Sequence, residues 1–259
     1  MNKRMIGLAS VSLIVSIVAF VASCSRSTSS ASSDATAKLQ FSNKNGTSLT
    51  TLNLIERFFI PPAFAATTSQ ATAFKMKLIA AYLTEDIDPV TQNNSGNTQM
   101  FYLNPTCADD IMHCDISAGT AEDGQPMSKV ITDYFDFAKT TDEVNAALNA
   151  QSRGIAAGNY KYVRLEFCKY NAGNSENIVW AGGNVLSEKS FKRNNCTVNS
   201  DEISPPLTVA SGDAVTVKIE YDYSTSISVG ADAQGDDCDG SDASKTCFTL
   251  PTFTPGAVN

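Results

Sequence analysis

From Ala73 onward the chain alternates apolar and polar positions. Phe74, Met76, Leu78, Ala80 and Tyr82 interleave with Lys75, Lys77 and Ile79, which is the period of a half-buried strand. Shorter runs of the same kind follow at Gln99–Leu103, closed by Asn104-Pro105, at Val130-Ile131 with Tyr134–Phe137, and at Tyr160–Cys168, Ile178–Trp180 and Asn184–Leu186. The clearest is Ala214–Tyr223: Val215, Val217, Ile219, Tyr221 and Tyr223 share one face, while Thr216, Lys218, Glu220 and Asp222 share the face turned to water. Only one stretch of this region is spaced as a helix. Thr140 with Glu143 forms a capping box, Val144 and Leu148 share a face, and Gly154 and Gly158 bracket the turn beyond, so a helix is predicted over Thr141–Gln151. Many short strands, one helix and no fixed-period repeat predict a mainly β domain over residues 73–229, an antiparallel β-sandwich with one short helix.

Upstream the pattern changes. Lys3 and Arg4 precede Met5–Ala22, an apolar run without a charge, as in a secretory signal peptide over residues 1–23. A membrane-spanning signal anchor is the competing assignment, because the run is near the lower length limit for a spanning helix. Small residues at its end, followed at once by serines, fit export better. Ser25–Lys38, SRSTSSASSDATAK, has too little apolar surface to offset the entropy of ordering it and reads as a tether, about 45 Å long when extended and about 20 Å as a coil. Leu52–Ile60 then carries Leu52, Ile55 and Phe59 on one face, a short amphipathic helix ended by Pro61-Pro62 that docks on the domain or on lipid headgroups. Ala63-Phe64-Ala65 mimics a processing site, but Glu56 and Arg57 interrupt the apolar stretch such a site requires. Residues 24–72 are therefore read as tether plus amphipathic segment, and residues 230–259 as an acidic disulfide loop with a C-terminal extension.

Two resemblances attach to these segments. Val21-Ala22-Ser23-Cys24 resembles the lipobox of bacterial lipoproteins, which implies cleavage before Cys24 and acylation of that cysteine, palmitate among the chains added. Ser25 is not the aspartate that retains many lipoproteins in the inner membrane, so the resemblance implies the cell outer membrane, with the domain facing the periplasm or the cell surface. Gly158-Asn159-Tyr160-Lys161-Tyr162-Val163-Arg164-Leu165 resembles the G-x-Y-x-x-[IV]-R-L strand of secreted bacterial β-sandwich domains of unknown function. In that group a strand and short helix precede the signature, similar to Tyr134–Ala138 and Thr140–Asn149, and a later strand ends in acidic residues, similar to Gly212–Tyr223. The likeness implies a transthyretin-like or immunoglobulin-like sandwich and transfers no catalytic residue.

Composition narrows the chemistry. The net charge of -8 becomes -10 once Lys3 and Arg4 leave with the signal peptide, and an acidic chain with one Trp and no basic run lacks the footprint of a nucleic-acid binder. The single histidine, His113, excludes multi-histidine zinc sites, and neither G-x-S-x-G nor S-x-x-K occurs. A Ser/His/Asp triad would need His113, which reads instead as a surface residue within a small disulfide loop. Setting aside Cys24, the six remaining cysteines form an even set in an exported chain. Fifteen connectivities are open, and chain order favours the local pairing Cys107 to Cys114, Cys168 to Cys196 and Cys238 to Cys247. Loop-closure entropy assigns about 2.5 to 3 kcal/mol to each short loop and about 3.6 kcal/mol to the long one. Zinc held by Cys107, His113 and Cys114 is the rival, disfavoured without a C-x-x-C pair.

Asp236, Asp237, Asp239 and Asp242 form a loose calcium candidate, because hard cations take several carboxylates from one tight loop. An EF-hand does not fit, since Gly235 would fall at the first ligand position and Thr246 where a bidentate Glu belongs. Tyr160, Tyr162, Tyr221, Tyr223 and Trp180 either line a glycan or peptide face or pack within the sheets, and packing is the commoner use of strand aromatics. No other cofactor is indicated. The function expected is a non-enzymatic binding, adhesion or structural module at the cell envelope, anchored to the membrane by lipid, with a protein or glycan as ligand. The alternatives are an exported carboxylate-dependent hydrolase and an accessory subunit of an envelope assembly.

Overall fold

Alternation over many short segments becomes strands that are too short to stand alone and must pack in layers. The computed structural model describes residues 35–44, 66–88, 91, 93–169, 176–193, 196–239 and 245–255. Among them β1 (Ala35–Asn43), β2 (Thr67–Ser69), β3 (Ala73–Met76), β4 (Ala80–Ile87) and β5 (Asn94–Leu103) precede a 3-10 turn at Pro105–Cys107. β6 (Cys114–Asp115), β7 (Lys129–Val130) and β8 (Phe135–Asp136) lead to α1 (Thr141–Leu148). β9 (Arg153–Ile155), β10 (Gly158–Tyr160), β11 (Tyr162–Glu166), β12 (Ile178–Gly182), β13 (Val185–Phe191), β14 (Thr197–Asn199) and β15 (Leu207–Val209) follow. The chain continues through β16 (Ala214–Asp222), β17 (Ile227–Val229), β18 (Asp237–Asp239), β19 (Thr246–Phe248) and β20 (Thr252–Pro255).

The strands form four-stranded sheets in the orders β20-β16-β1-β9, β14-β11-β4-β5, β13-β12-β3-β8 and β18-β19-β17-β2, with the pairs β10-β15 and β6-β7 beside them. Pairing is mostly antiparallel and the fold is mainly β, sandwich-like, with one α-helix among the described residues, as the sequence pattern predicts. Two pairs are parallel: β6 with β7, and β1 with β16 from Thr36↔Ala214 to Asn43↔Tyr221.

Four expectations are corrected. The tether does not run to Lys38, nor does the domain begin at residue 73, because Ala35–Asn43 is a strand hydrogen-bonded between β16 and β9. Its buried positions Ala35, Ala37, Leu39 and Phe41 alternate with less buried ones, a period masked by small residues at the first two. The domain also does not end at residue 229, since β19 pairs with β17 and β20 with β16. The run from Ala73 to Tyr82 is two strands in different sheets, separated by Lys77-Leu78-Ile79. All three corner residues are buried, and Asn104 satisfies the corner by donating its amide to the Leu78 carbonyl at 3.0 Å. The signature strand likewise divides at Lys161 into β10 and β11. The amphipathic segment Leu52–Ile60 lies outside the described residues.

The helix starts where the capping box places it. Thr140 Oγ1 accepts from the Glu143 N–H, and Glu143 Oε2 accepts from the Thr140 N–H. It ends earlier than Gln151 because Asn149 adopts a left-handed conformation with φ 46°. Val144 and Leu148 face the core, and Asn145 reaches β1. There β9 covers only Ala35–Ala37, and beyond it the Asn145 amide accepts from the Phe41 N–H at 2.8 Å and donates to the Phe41 carbonyl at 2.8 Å. One side chain thus supplies both bonds an adjacent strand would make. Asn177 does the same for Arg193, accepting from its N–H at 3.0 Å and donating to its carbonyl at 3.1 Å.

The sheets meet along a line of aromatic rings. Phe41 lies 5.0 Å from Phe137, Phe137 lies 5.3 Å from Phe74, Phe74 lies 5.4 Å from Phe248, and Trp180 stacks on Phe248 at 5.6 Å. Phe137 also touches Tyr221 and Phe253, so one ring contacts side chains of β1, β3, β16 and β20. Replacing Phe137 by Ala is expected to lower the unfolding free energy by about 3 to 5 kcal/mol, the range for a large buried aromatic. Urea denaturation measures this, and a loss under about 1 kcal/mol would show that the ring is not the junction of the sheets.

Candidate functional site

The cysteines pair as chain order favours: Cys107 with Cys114, Cys168 with Cys196, and Cys238 with Cys247. Both thiols of the rival zinc set, Cys107, His113 and Cys114, are in a disulfide, so the disfavoured alternative does not apply to them. The first two bridges are not merely loop clips. Cys107, Cys114 and Cys168 are fully buried with Ile79, Ala80, Ile116 and Ile131 in a second apolar cluster. Asp115, fully buried, joins the two bridges: its Oδ1 accepts from the Ile116 N–H at 2.8 Å and from the Lys169 N–H at 3.0 Å. It thereby ties the residue after Cys114 to the residue after Cys168.

Two ionisable groups border this cluster. Glu166 accepts from the Tyr82 hydroxyl at 3.0 Å, and burial pushes its carboxyl up against the opposing pull of Lys169. Burial lowers the Lys77 ammonium against the opposing pull of Asp115 and Asp133; it donates to the Ile116 carbonyl at 3.2 Å and sits 4.9 Å over the Tyr134 ring. The chemistry these contacts support is fastening, since each group is bonded to the structure around it.

His113 is held from both sides. Its Nδ1 lies 2.8 Å from Asp110 Oδ2 and its Nε2 lies 3.0 Å from Asp123 Oδ2, while Ser128 Oγ donates to Asp110 at 2.9 Å. Two carboxylates accepting from the two ring nitrogens require both nitrogens to carry protons, which is the imidazolium form. The hydrogen bond to Asp123, then that to Asp110, hold the His113 pKa above 6.5. The serine bonds to Asp110 and not to the imidazole, so this is a clasp between the Cys107–Cys114 loop and residues 123–128, not a nucleophile with its base. The spacing Asp110-x-x-His113 is visible in the sequence, whereas Asp123 arrives through the turn at residues 119–127.

The acidic hairpin is anchored rather than open. Asp237 Oδ2 accepts from the Trp180 indole N–H at 2.7 Å and lies 3.9 Å from Lys189 Nζ. Asp236 Oδ2 accepts from the Leu250 N–H at 3.0 Å and lies 3.5 Å from Arg193 Nη1. At Gly235 a Cβ would stand 2.6 Å from the Phe248 carbonyl oxygen, so only glycine lets the hairpin lie this close to β19. Asp239 belongs to β18, and Asp242 lies outside the described residues. A cation would have to compete with these bonds for Asp236 and Asp237. Among the described residues no three His, Cys, Asp or Glu side chains converge on a metal position.

The aromatic set does not form a face. Tyr160, Tyr221, Tyr223 and Trp180 are buried, with 2 % exposure at most, and Tyr162 is half-buried in β11. A hollow of about 620 Å³ lies between residues 201–208 and β20, lined by Asp201, Glu202, Pro205, Pro206, Leu207 and Pro255 among others. Cys24 lies outside the described residues. Comparison with known protein families, with curated proteins and with solved structures finds no match to this chain.

Two outcomes follow from the bridges and the clasp. Replacing Cys168 and Cys196 together by Ala is expected to cost about 2 to 5 kcal/mol in denaturant unfolding, because theirs is the longest of the three loops, 28 residues apart, and it borders a buried cluster. A smaller loss than for either short bridge would overturn this ranking. His113, the single histidine, gives one imidazole signal in NMR, and its titration midpoint is expected above 6.5 and lower in Asp123→Asn. Since folding raises this pKa, the stability it contributes is full below 6.5 and is lost as pH rises through the folded value. Asp110 and Asp123 are held below 3.8, so their share is present above 3.8 and is lost as pH falls through their folded values. The clasp is thus tightest between those limits, and a midpoint at or below 6.5 would refute it.

Proposed function

We propose that this chain is the precursor of an exported lipoprotein, acylated at Cys24 and held at the cell outer membrane, where its β-sandwich acts as a non-enzymatic structural or binding module. The observation that carries this reading is the cysteine account. The sequence has seven cysteines and three disulfides use six, which leaves Cys24, the cysteine at the lipobox position, as the odd one. Three disulfides favour an oxidising compartment beyond the inner membrane.

The position of β1 sharpens the geometry of the anchor. Ten residues, 25–34, separate Cys24 from Ala35, enough for about 35 Å when extended and about 18 Å as a coil. An acylated Cys24 would hold the β1 end of the domain within that distance of the lipid. Several acyl chains suffice for stable attachment. The non-enzymatic part rests on the bonds already made by the polar groups: His113, Asp115, Asp236 and Asp237 each hold one part of the fold to another. The ligand class that suits such a scaffold is a protein or glycan met at its surface.

Labelled palmitate should enter the full-length chain during growth, and the labelled protein should fractionate with outer membranes. Cys24→Ala should abolish labelling and release the protein to the soluble fraction. Equal labelling of the variant, or an unlabelled wild type, would overturn the anchor.

A further inference from the structure

Lysine is almost never buried unless a carboxylate pairs with it. Lys77 is 9 % exposed, at the corner between β3 and β4, and among the described residues its three N–H groups find one acceptor, the Ile116 carbonyl at 3.2 Å. The Tyr134 ring covers the ammonium 4.9 Å away. Asp115, 0 % exposed, is the buried carboxyl whose charge acts on it. The two groups meet across a single residue, because Ile116 gives its C=O to Lys77 and its N–H to Asp115. Burying an ammonium and a carboxylate is costly unless each is fully bonded. A neutral amide made from the two would remove both charges and keep the Asp115 oxygen that the N–H groups of Ile116 and Lys169 hold at 2.8 Å and 3.0 Å.

We propose that Lys77 and Asp115 are the two ends of an amide cross-link that the folded chain makes by itself, with Glu166 carrying a proton. The flexible Lys77 stem swings Nζ from the Ile116 carbonyl onto Asp115 Cγ; the N–C bond forms and the bond from Cγ to Oδ2 breaks. From –NH3+ and –COO− the products are –NH–CO– and one water, which takes Oδ2 and two protons of the nitrogen, and nothing is oxidised or reduced. Burial lowers the Lys77 ammonium against the pull of Asp115 and Asp133, which favours the free amine that attacks. The two N–H groups on Oδ1 face the negative charge of the tetrahedral intermediate, as in an oxyanion hole. Burial, with a smaller push from Asp115, raises Glu166 against the pull of Lys169, Tyr82 and Arg164, and a carboxyl that keeps its proton can hand it to the leaving oxygen. Folding holds amine and carboxyl together, so a step that is slow between separate molecules becomes local. The bond would tie the β3–β4 corner to β6 beside two disulfides and, unlike them, would survive a thiol reductant.

The test is peptide mapping of the full-length chain after reduction, alkylation and digestion with trypsin. The cross-link should make the chain resistant to cleavage after Lys77 and join the Lys77 peptide to the Asp115 peptide, the pair lighter than their sum by one water. Lys77→Arg and Asp115→Ala should each give unlinked peptides, and Glu166→Gln a smaller linked fraction. Separate peptides from the wild type, cut after Lys77, sink the proposal whether or not any variant folds, and so does a link from Lys77 to Asp133. An undiminished linked fraction in Glu166→Gln would overturn the proton route. Palmitate labelling bears only on the anchor, so the two readings fail separately.

Discussion

The ring of Phe137 sits where the sheets would otherwise part. Most strands here are two to five residues long, and a short strand with one neighbour gains too little from its ladder to stay ordered. What unites them is burial of large side chains from several sheets against one another. The aromatic line from Phe253 through Phe41, Phe137, Phe74 and Phe248 to Trp180 joins strands from four-stranded sheets that share no backbone ladder. Each edge-on or tilted pair contributes about 0.5 to 1.5 kcal/mol beyond its area, and the rings fix the spacing at which the sheets must pack.

Where ladders stop, asparagine continues them. Asn145 beside Phe41 and Asn177 beside Arg193 each present a carbonyl and an amide to one backbone unit, and Asn104 receives the Thr106 N–H while donating to Leu78. A buried backbone group without a partner costs about 1 to 3 kcal/mol, so these amides let the sheets break and turn inside the protein. Aspartate is used differently, as an acceptor only: Asp115 takes two N–H groups, from Ile116 and Lys169. The lipobox resemblance and the expected tether rest on composition and local order, whereas these contacts are matters of shape, which a sequence alone does not display.

Legibility follows the same division. Local signals held: the capping box at Thr140, the inward face of β16 and the short-range pairing of six cysteines each depend on residues close in sequence. β1 was illegible because Ala35 and Ala37 carry little hydrophobic weight, and the serines before them resemble linker; its order is imposed from residues far along the chain. The corner at Lys77–Ile79 was hidden because the period continues through it while both faces become buried. The acidic hairpin reads as a solvated or metal-binding loop until Trp180, Lys189 and Arg193 are brought to it. His113 shows one carboxylate by spacing and the second only by folding.

A polypeptide is delivered from its N-terminus, whether by the ribosome or through an export channel. β1 is the first described strand to emerge, yet its ladder partner β16 begins at Ala214 and Phe253, whose ring meets Phe41, comes 212 residues after it. This early strand must therefore wait for much later ones. During that interval its sheet has an open slot lined with aromatic surface, and the growing chain is at its most adhesive. Arrival of β16 and β20, rather than the formation of any local element, is the event that seals this sheet, and the rate of delivery sets how long the slot stays open.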